Sequence, residues 1–292
     1  MHTGEFDLFV GVDWSGAKGP NLPGLKVAVC GPDQKTPTLV ANPISKHWTR
    51  PAFVNWLLEQ LQSGQRVLCG MDFSFCFPWL DRDAYRKGSS EQIEGWLQFW
   101  HQLEEICAND PGFYGGAFAT DLDWQDHFAT SVRVGPAYDR RLRVTEAACQ
   151  HQGLGTPETV FNLRGARQVG KSSLAGMRVL HHVRSAAAQV AVWPFETPNT
   201  EQSVLVETFP TAFVCMAGAG SGKIRDQGRL NEVLAYFGCK SAYSGAGITD
   251  DEADALVTSA ALRHLSPRSH WWQPEGLSDR VRRYEGWTFG VR

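Results

Sequence analysis

The sequence lacks the signals that mark several common classes of protein. Its seven cysteines are scattered and include no C-x-x-C pair, which disfavours a zinc site and a disulfide framework and favours reduced thiols. No apolar run approaches the roughly 18 residues of a membrane-spanning helix. Residues 1–30 also lack the apolar stretch of a signal peptide. We therefore expect a cytoplasmic protein without a membrane partner.

An excess of positive charge is missing as well. The chain has 28 Lys and Arg against 31 Asp and Glu, for a net charge of −3. A broad basic surface for long duplex DNA is therefore not expected, and any contact with nucleic acid must come from local patches. What the chain does have is 292 residues, of which 42% are hydrophobic, enough for a large buried core.

The order of apolar segments predicts an α/β protein. Near the start, three strands (6–12, 26–30 and 38–41) precede a helix (49–64) and a further strand (66–73). Because the turns between the first three strands are short, these strands are expected to form an antiparallel meander. Later segments predict a helix (174–188), strands (190–193 and 204–207) and helices (229–237 and 249–265).

The pattern is looser between about residue 78 and residue 194. A helix at 90–109 is its clearest element, and a mixture of glycines, aromatic residues and charges follows. We interpret 78–194 as one large insertion that covers the functional site. The whole chain, residues 1–292, is then a single domain.

Acidic residues stand at the ends of predicted strands and at the start of the last long helix. Asp13 and Asp72 each close an apolar strand, and Glu207 ends another. Asp251 and Asp254 are three residues apart and share one helical face. Carboxylate oxygens of this kind suit Mg²⁺ or Mn²⁺, and two such ions can clamp the attacking and leaving oxygens of phosphoryl transfer. The alternative is that the acids at 250–252 only cap the helix and complement its dipole.

The order of these segments resembles the ribonuclease H-like fold. The acidic helix resembles the metal-binding helix of RuvC-type junction resolvases, and the whole chain resembles a family of predicted nucleases known as domain of unknown function 429. The motifs that carry the resemblance are Gly11-Val12-Asp13, Gly70-Met71-Asp72-Phe73-Ser74, Gln168-Val169-Gly170-Lys171, Val192-Trp193-Pro194-Phe195-Glu196, Val206-Glu207-Thr208-Phe209-Pro210, Asp251-Glu252-Ala253-Asp254-Ala255-Leu256 and Tyr284-Glu285-Gly286-Trp287.

The resemblance implies a ribonuclease H-like mixed sheet with flanking helices and a metal-dependent nuclease site. It assigns Asp13, Asp72, Asp251 and Asp254 as catalytic ligands of Mg²⁺ or Mn²⁺. Asp72 departs from the pattern, because the resolvases carry a glutamate at that place. Glu207 would complete the cluster or orient Lys171.

One segment also matches a phosphate-binding loop. Residues 165–172 fit G-x-x-x-x-G-K-[ST], between a strand-like stretch at Thr159–Leu163 and a predicted helix. A nucleotide-binding protein of that class would need a later strand that ends in a magnesium-binding Asp, and the strands here end differently. We therefore interpret the segment as a basic loop, and assign phosphate contacts to Lys18, Arg164, Arg167 and Lys171.

Three functions remain open from the sequence. The first is metal-dependent hydrolysis of phosphodiester bonds in a nucleic acid or a small phosphorylated substrate. The second is an ATP-dependent phosphotransferase or phosphate-loop protein, in which Gly218–Lys223 would be a nucleotide loop; no duplicated second domain supports it. The third is a noncatalytic binding protein on the same fold, whose acids would be dispersed or paired with internal cations.

Overall fold

A six-stranded mixed sheet forms the centre of the molecule. The computed structural model describes residues 5–88, 93–165, 168–240 and 247–292. The strands are β1 (Leu8–Asp13), β2 (Lys26–Cys30), β3 (Thr38–Val40), β4 (Val67–Met71), β5 (Val190–Trp193) and β6 (Ser203–Glu207). Their order is β3-β2-β1-β4-β6-β5, with β1, β2 and β3 antiparallel and β1, β4, β6 and β5 parallel. The predicted α/β class and the predicted meander are confirmed.

Helices cover both faces of the sheet. They are α1 (Arg50–Gln62), α2 (Trp96–Ile106), α3 (Val144–His151), α4 (Gly170–Ala186), α5 (Pro210–Met216), α6 (Gln227–Tyr236), α7 (Asp250–Leu265) and α8 (Asp279–Tyr284). One core joins Val10 and Val12 of β1 to residues of α1, α2 and α4. The other joins Phe9 to residues of α5, α6 and α7. Within the described residues, no helix is long and apolar enough to cross a membrane.

The structure corrects three of the predicted elements. Thr159–Leu163 is not a strand: its only ladder contact among the described residues is an isolated bridge from Asn162 to Ala129. Phe161 there packs against Phe77 at 5.1 Å between ring centroids, so an aromatic cluster makes this segment apolar. The helix predicted at 90–109 is helical only over α2, and residues 89–92 lie outside the described part. Helix α4 begins at Gly170, four residues before the predicted start.

Two glycines allow α7 to lie directly on the sheet. Gly11 of β1 and Gly70 of β4 are paired in register. A Cβ atom at Gly11 would lie 2.3 Å from the carbonyl oxygen of Ala255, and one at Gly70 would lie 3.0 Å from a methyl group of Leu262. At Gly11 the helix backbone itself comes this close, so a larger residue does not fit there; at Gly70 the close atoms belong to side chains. The first turns of α7 are thereby brought to the carboxyl ends of β1 and β4.

Candidate active site

Two acids stand where neighbouring parallel strands end. Asp13 is the last residue of β1, and its side chain is buried. Asp72 follows β4 directly, and its backbone N–H donates to the carbonyl oxygen of Val12 at 3.1 Å. This hydrogen bond continues the ladder by one residue and holds the two acids at the same edge of the sheet.

Helix α7 contributes two more acids to this edge. Thr249 and Glu252 form its capping box: each side chain accepts a hydrogen bond from the other's backbone N–H, at 3.2 and 3.1 Å. Because these residues satisfy the helix end, Asp251 and Asp254 are not needed as caps. Asp251 is near enough for its charge to raise the pKa of Asp13, and Asp254 is buried. The capping alternative accounts for Glu252, and Asp250 and Asp251 in the first turn also complement the helix dipole, whereas Asp254 lies beyond that turn.

The four carboxyl groups interact with one another. Burial is the first cause that raises the pKa of Asp13 well above its usual value, and the charges of Asp254, Asp72 and Asp251 raise it further. Burial, followed by the charge of Asp254, raises the pKa of Asp72 to about 8. The pKa values of Asp251 and Asp254 are also raised, mainly by burial. The protein thus brings together acids that repel one another when ionised.

Lys223 is the cation that offsets this negative charge. Its ammonium nitrogen lies 2.7 Å from Oδ2 of Asp254 and 4.0 Å from Oδ2 of Asp250. Burial lowers the pKa of Lys223, but the charge and hydrogen bond of Asp254 outweigh this and raise it overall. The ammonium therefore stays protonated and occupies part of the space between the acids.

The donor set matches the chemistry of a hard divalent cation. Mg²⁺ and Mn²⁺ prefer carboxylate oxygens, and four carboxyl groups from β1, β4 and α7 meet here with one ammonium among them. As arranged, no group of three or more His, Cys, Asp or Glu side chains in the described residues could hold a metal ion. The ammonium of Lys223, 2.7 Å from Asp254, contacts one of these carboxylates instead.

A cavity of about 590 Å³ opens beside the acids. Asp72 and Asp254 line one wall together with Lys223, and Gln168, Val169 and Ser172 at the start of α4 line another. The remaining lining residues are Trp14, Phe73, Ser74, Arg143, Glu146, Cys149, Thr156, Pro157, Glu158, Glu207, Thr208, Phe209, Thr211, Ser221 and Thr288. This volume is typical of a pocket for a small ligand.

Glu207 takes a different part from the one expected. Its carboxylate accepts two hydrogen bonds from the guanidinium of Arg143, at 2.5 and 2.8 Å. The backbone N–H of Phe75 (2.7 Å) and the hydroxyl of Thr288 (2.6 Å) donate to the same carboxylate. Arg143 also contacts Glu146 at 2.9 Å. Glu207 therefore fastens four chain segments beneath the cavity, and it does not contact Lys171 through these bonds.

Of the four predicted phosphate-binding residues, the three that the structure describes do not line the cavity. Lys18 and Arg164 are exposed, Lys171 is half-buried, and Arg167 lies outside the described residues. In the described part of the chain, the cavity-lining cations are Arg143 and Lys223. Arg143 is already fully paired, so Lys223 is the cation of the wall that a ligand would meet.

The phosphate-loop match has an unsuitable surrounding structure. No strand precedes the loop, because Thr159–Leu163 is irregular. The backbone of Gly16 also covers the start of α4, where a Cβ on Gly16 would lie 2.3 Å from the amide nitrogen of Ser172. Arg50 holds this covering loop by donating to the carbonyl oxygens of Ser15 and Ala17, at 2.8 and 2.7 Å. The amide group of Ser172, at the end of the matched segment, is therefore packed against protein.

Sequence reasoning missed three charged residues of the site. Lys223 ends the run Gly218–Lys223, which reads as a flexible turn, although a lysine after a glycine-rich run is a usable signal. Arg143 and Glu146 are three residues apart before an alanine-rich stretch, the spacing of a helix start, yet this helix was not predicted.

Comparisons with known proteins place the chain beside no characterised relative. No protein-family model, no curated protein and no solved structure matches it.

Proposed function

We propose that the protein is a Mg²⁺- or Mn²⁺-dependent phosphodiesterase of the ribonuclease H-like type. The observation that supports this most strongly is the meeting of Asp13, Asp72, Asp251 and Asp254, from three separate elements, beside a cavity of ligand size. Buried carboxyl groups that raise one another's pKa are costly, and such an arrangement is typical of functional sites. Their shared edge at the ends of parallel strands is also where α/β proteins place ligands.

The fold supports the same proposal. A meander of three strands is followed by a helix, a parallel strand that ends beside an acid, and a late helix with Asp251 and Asp254 on its inner side. This order of elements is the one that the sequence resemblance implies. The sheet order β3-β2-β1-β4-β6-β5 puts β1 and β4, the two strands that precede the acids, side by side.

Each part of the site has a distinct task in this proposal. Asp13, Asp72, Asp251 and Asp254 would hold the divalent cation, which supplies Lewis-acid activation of water and of the phosphoryl group. Lys223 stands 2.7 Å from Asp254 and faces the cavity, where its ammonium can pair with a phosphoryl oxygen. The Arg143–Glu207 pair keeps the cavity floor in place.

The size and charge of the site favour a compact substrate. A cavity of about 590 Å³ accommodates a single nucleotide unit or a small phosphodiester. The net charge of −3 does not favour long duplex DNA, whose binding depends on many phosphate contacts. We therefore propose a small phosphodiester or a single-stranded end as the substrate.

Hydrolysis assays test this function. Bis(p-nitrophenyl) phosphate and end-labelled single-stranded oligonucleotides would be incubated with the protein and Mn²⁺, Mg²⁺ or EDTA. We expect metal-dependent cleavage that falls roughly 100-fold or more in Asp13→Asn and Asp254→Asn, about 2.7 kcal/mol of barrier. Asp33→Asn, which changes an exposed acid in the turn after β2, is the control and should keep full activity. Cleavage that survives both site substitutions would exclude this site.

The noncatalytic alternative is favoured by one observation. Asp254 is paired with Lys223, and Asp250 lies 3.6 Å from Arg225, so part of the acidic charge is neutralised internally. If the acids serve only to pair with these internal cations, Mn²⁺ should not bind and no phosphodiester should be cleaved. The same assay, with metal binding measured by calorimetry, distinguishes the two functions.

A further inference from the structure

Two cysteines meet on the side of the molecule away from the acidic site. Cys30 is the last residue of β2, and Cys239 follows α6. Both are buried in one core cluster, and Sγ of Cys30 lies 3.2 Å from the carbonyl oxygen of Gln34, the residue before Lys35. The segments that carry them run side by side, because the backbone N–H of Lys240 donates to the carbonyl oxygen of Lys35 at 2.7 Å. The fold thus places the two cysteines in the same small region of the core.

Arg263 of α7 gives the two sulfurs different environments. Its guanidinium lies 3.3 Å from Sγ of Cys239 and also donates to the carbonyl oxygens of Pro32, Phe237 and Gly238. Sγ of Cys30 instead donates to the carbonyl oxygen of Gln34 at 3.2 Å. A guanidinium stabilises a thiolate, whereas a carbonyl acceptor stabilises a protonated thiol.

The thiol acidities follow from these contacts. The neighbouring Cys30 and the contact with Arg263 lower the pKa of Cys239 despite its burial. The pKa of Cys30 is raised by the same pairing. The other cysteines, including half-buried Cys215, have pKa values that burial raises. Cys239 therefore differs from the rest of the thiols in the chain.

We propose that Cys239 and Cys30 form a peroxide-sensitive dithiol, with Cys239 as the attacking thiolate and Cys30 as the resolving thiol. Cys239 attacks one oxygen of hydrogen peroxide, the O–O bond breaks, and hydroxide leaves and is protonated to water. Cys30 then loses its proton as its sulfur attacks the sulfenic acid of Cys239, and a second water leaves. The two thiols lose two electrons in total, and the peroxide is reduced to two waters.

Arg263 is the positioning residue of this pair. Its guanidinium contacts the Cys239 sulfur and donates to the carbonyl oxygen of Phe237. It forms and breaks no covalent bond in the reaction. Peroxide is small enough to enter a site in which Cys239 retains 6% of its surface. Bulky thiol reagents should react far more slowly.

Peptide mapping of the full-length protein tests the proposal. The reduced protein would be treated with hydrogen peroxide, alkylated, digested without reductant and analysed by mass spectrometry. We expect a peptide pair linked through Cys30 and Cys239, a fall from seven free thiols to five after unfolding, and full reversal by dithiothreitol. Seven remaining thiols, or Cys239 driven to sulfinic acid without a link to Cys30, would overturn the proposal.

Three variants separate the roles. Cys30→Ser should accumulate a sulfenic acid on Cys239 that dimedone traps, and Arg263→Gln should slow the peroxide reaction about tenfold or more. Cys215→Ser, which alters the half-buried thiol elsewhere, should give the same linked peptides as the parent. A reaction that proceeds first at Cys215 would contradict the assignment. The mapping of the parent decides the matter even if a variant does not fold.

Discussion

Among single residues, Lys223 has the greatest effect on the charge of the acidic site. Its ammonium contacts Asp254 directly and also offsets the charges of Asp13 and Asp72. Such a cation competes with a metal for the same carboxylates, yet it also offers a positive group to a phosphoryl oxygen. Lys223 should therefore influence metal binding and substrate binding in opposite directions.

The substitution Lys223→Met tests this opposition. We expect Mn²⁺ to bind about tenfold more tightly, because a competing positive charge is removed from Asp254. Arg225→Met is the matched control: its side chain is more exposed and contacts Asp250 at 3.6 Å, so the Mn²⁺ affinity should change less than about twofold. Isothermal titration calorimetry measures both. Weaker Mn²⁺ binding in the Lys223 variant would show that the ammonium does not compete with the metal.

We expect the ion pair of Glu207 and Arg143 to stabilise the fold and to have little effect on the charge at the metal site. Glu207→Gln leaves the buried guanidinium without its bidentate partner. We expect the free energy of unfolding to fall by about 3 kcal/mol, as is usual when one member of a buried ion pair is removed. Asp126→Asn breaks the exposed Arg133–Asp126 pair at 3.1 Å and should cost less than about 1 kcal/mol. Urea unfolding measures the free energy of unfolding of both variants. Equal losses would contradict the proposal that the buried ion pair stabilises the fold.

At the scale of elements, the site depends on how closely α7 approaches β1 and β4. Gly11→Ala would place a methyl group 2.3 Å from the carbonyl oxygen of Ala255. The helix would have to move away from the sheet, and we expect a loss of roughly 1–3 kcal/mol or more in the free energy of unfolding. Because Asp251 and Asp254 move with α7, Mn²⁺ affinity should fall in the same variant.

A glycine whose added Cβ would approach a single side-chain atom provides the comparison. Gly228 lies on the exposed side of α6, where a Cβ would meet only an oxygen of Asp226 at 3.3 Å. Gly228→Ala should leave Mn²⁺ affinity unchanged and raise stability by up to about 1 kcal/mol, since alanine favours the helix. Thermal unfolding and calorimetry measure both variants. An unperturbed Gly11→Ala variant would mean that α7 does not need this close contact.

The sequence predicts the sheet better than the surroundings of the site. Strands β2 and β5 lie where alternation and apolar runs place them, and the acids at the ends of β1 and β4 are visible as breaks in apolar runs. These signals are local, because the pattern of apolar residues within a strand indicates how that strand is buried. The capping box of α7 is local in the same sense.

Contacts between distant segments are what the sequence does not reveal. Lys223 meets Asp254 only because α5 and α7 pack together, and Arg143 meets Glu207 across 64 positions. The phosphate-loop match was misleading for a related reason. A short motif does not show that Gly16 from another segment covers it.

For the molecule as a whole, metal binding should appear as added stability. A cation that binds only the folded protein raises the free energy of unfolding, by about 2.7 kcal/mol at a free concentration 100 times its dissociation constant. We expect Mn²⁺ to raise the melting temperature of the parent and of Asp33→Asn but not of Asp13→Asn. Differential scanning calorimetry with matched EDTA samples measures the shift. An equal rise in all three proteins would indicate binding elsewhere.

Anomalous diffraction from crystals soaked in Mn²⁺ tests the metal site most directly. We expect a peak at the ends of β1 and β4, with Mn²⁺ at roughly 2.0–2.3 Å from oxygens of Asp13 and of at least two among Asp72, Asp251 and Asp254. The Lys223 ammonium should then have moved away from Asp254. The contradicting result is a crystal in which Lys223 still contacts Asp254 and the Mn²⁺ peaks lie only on other parts of the molecule.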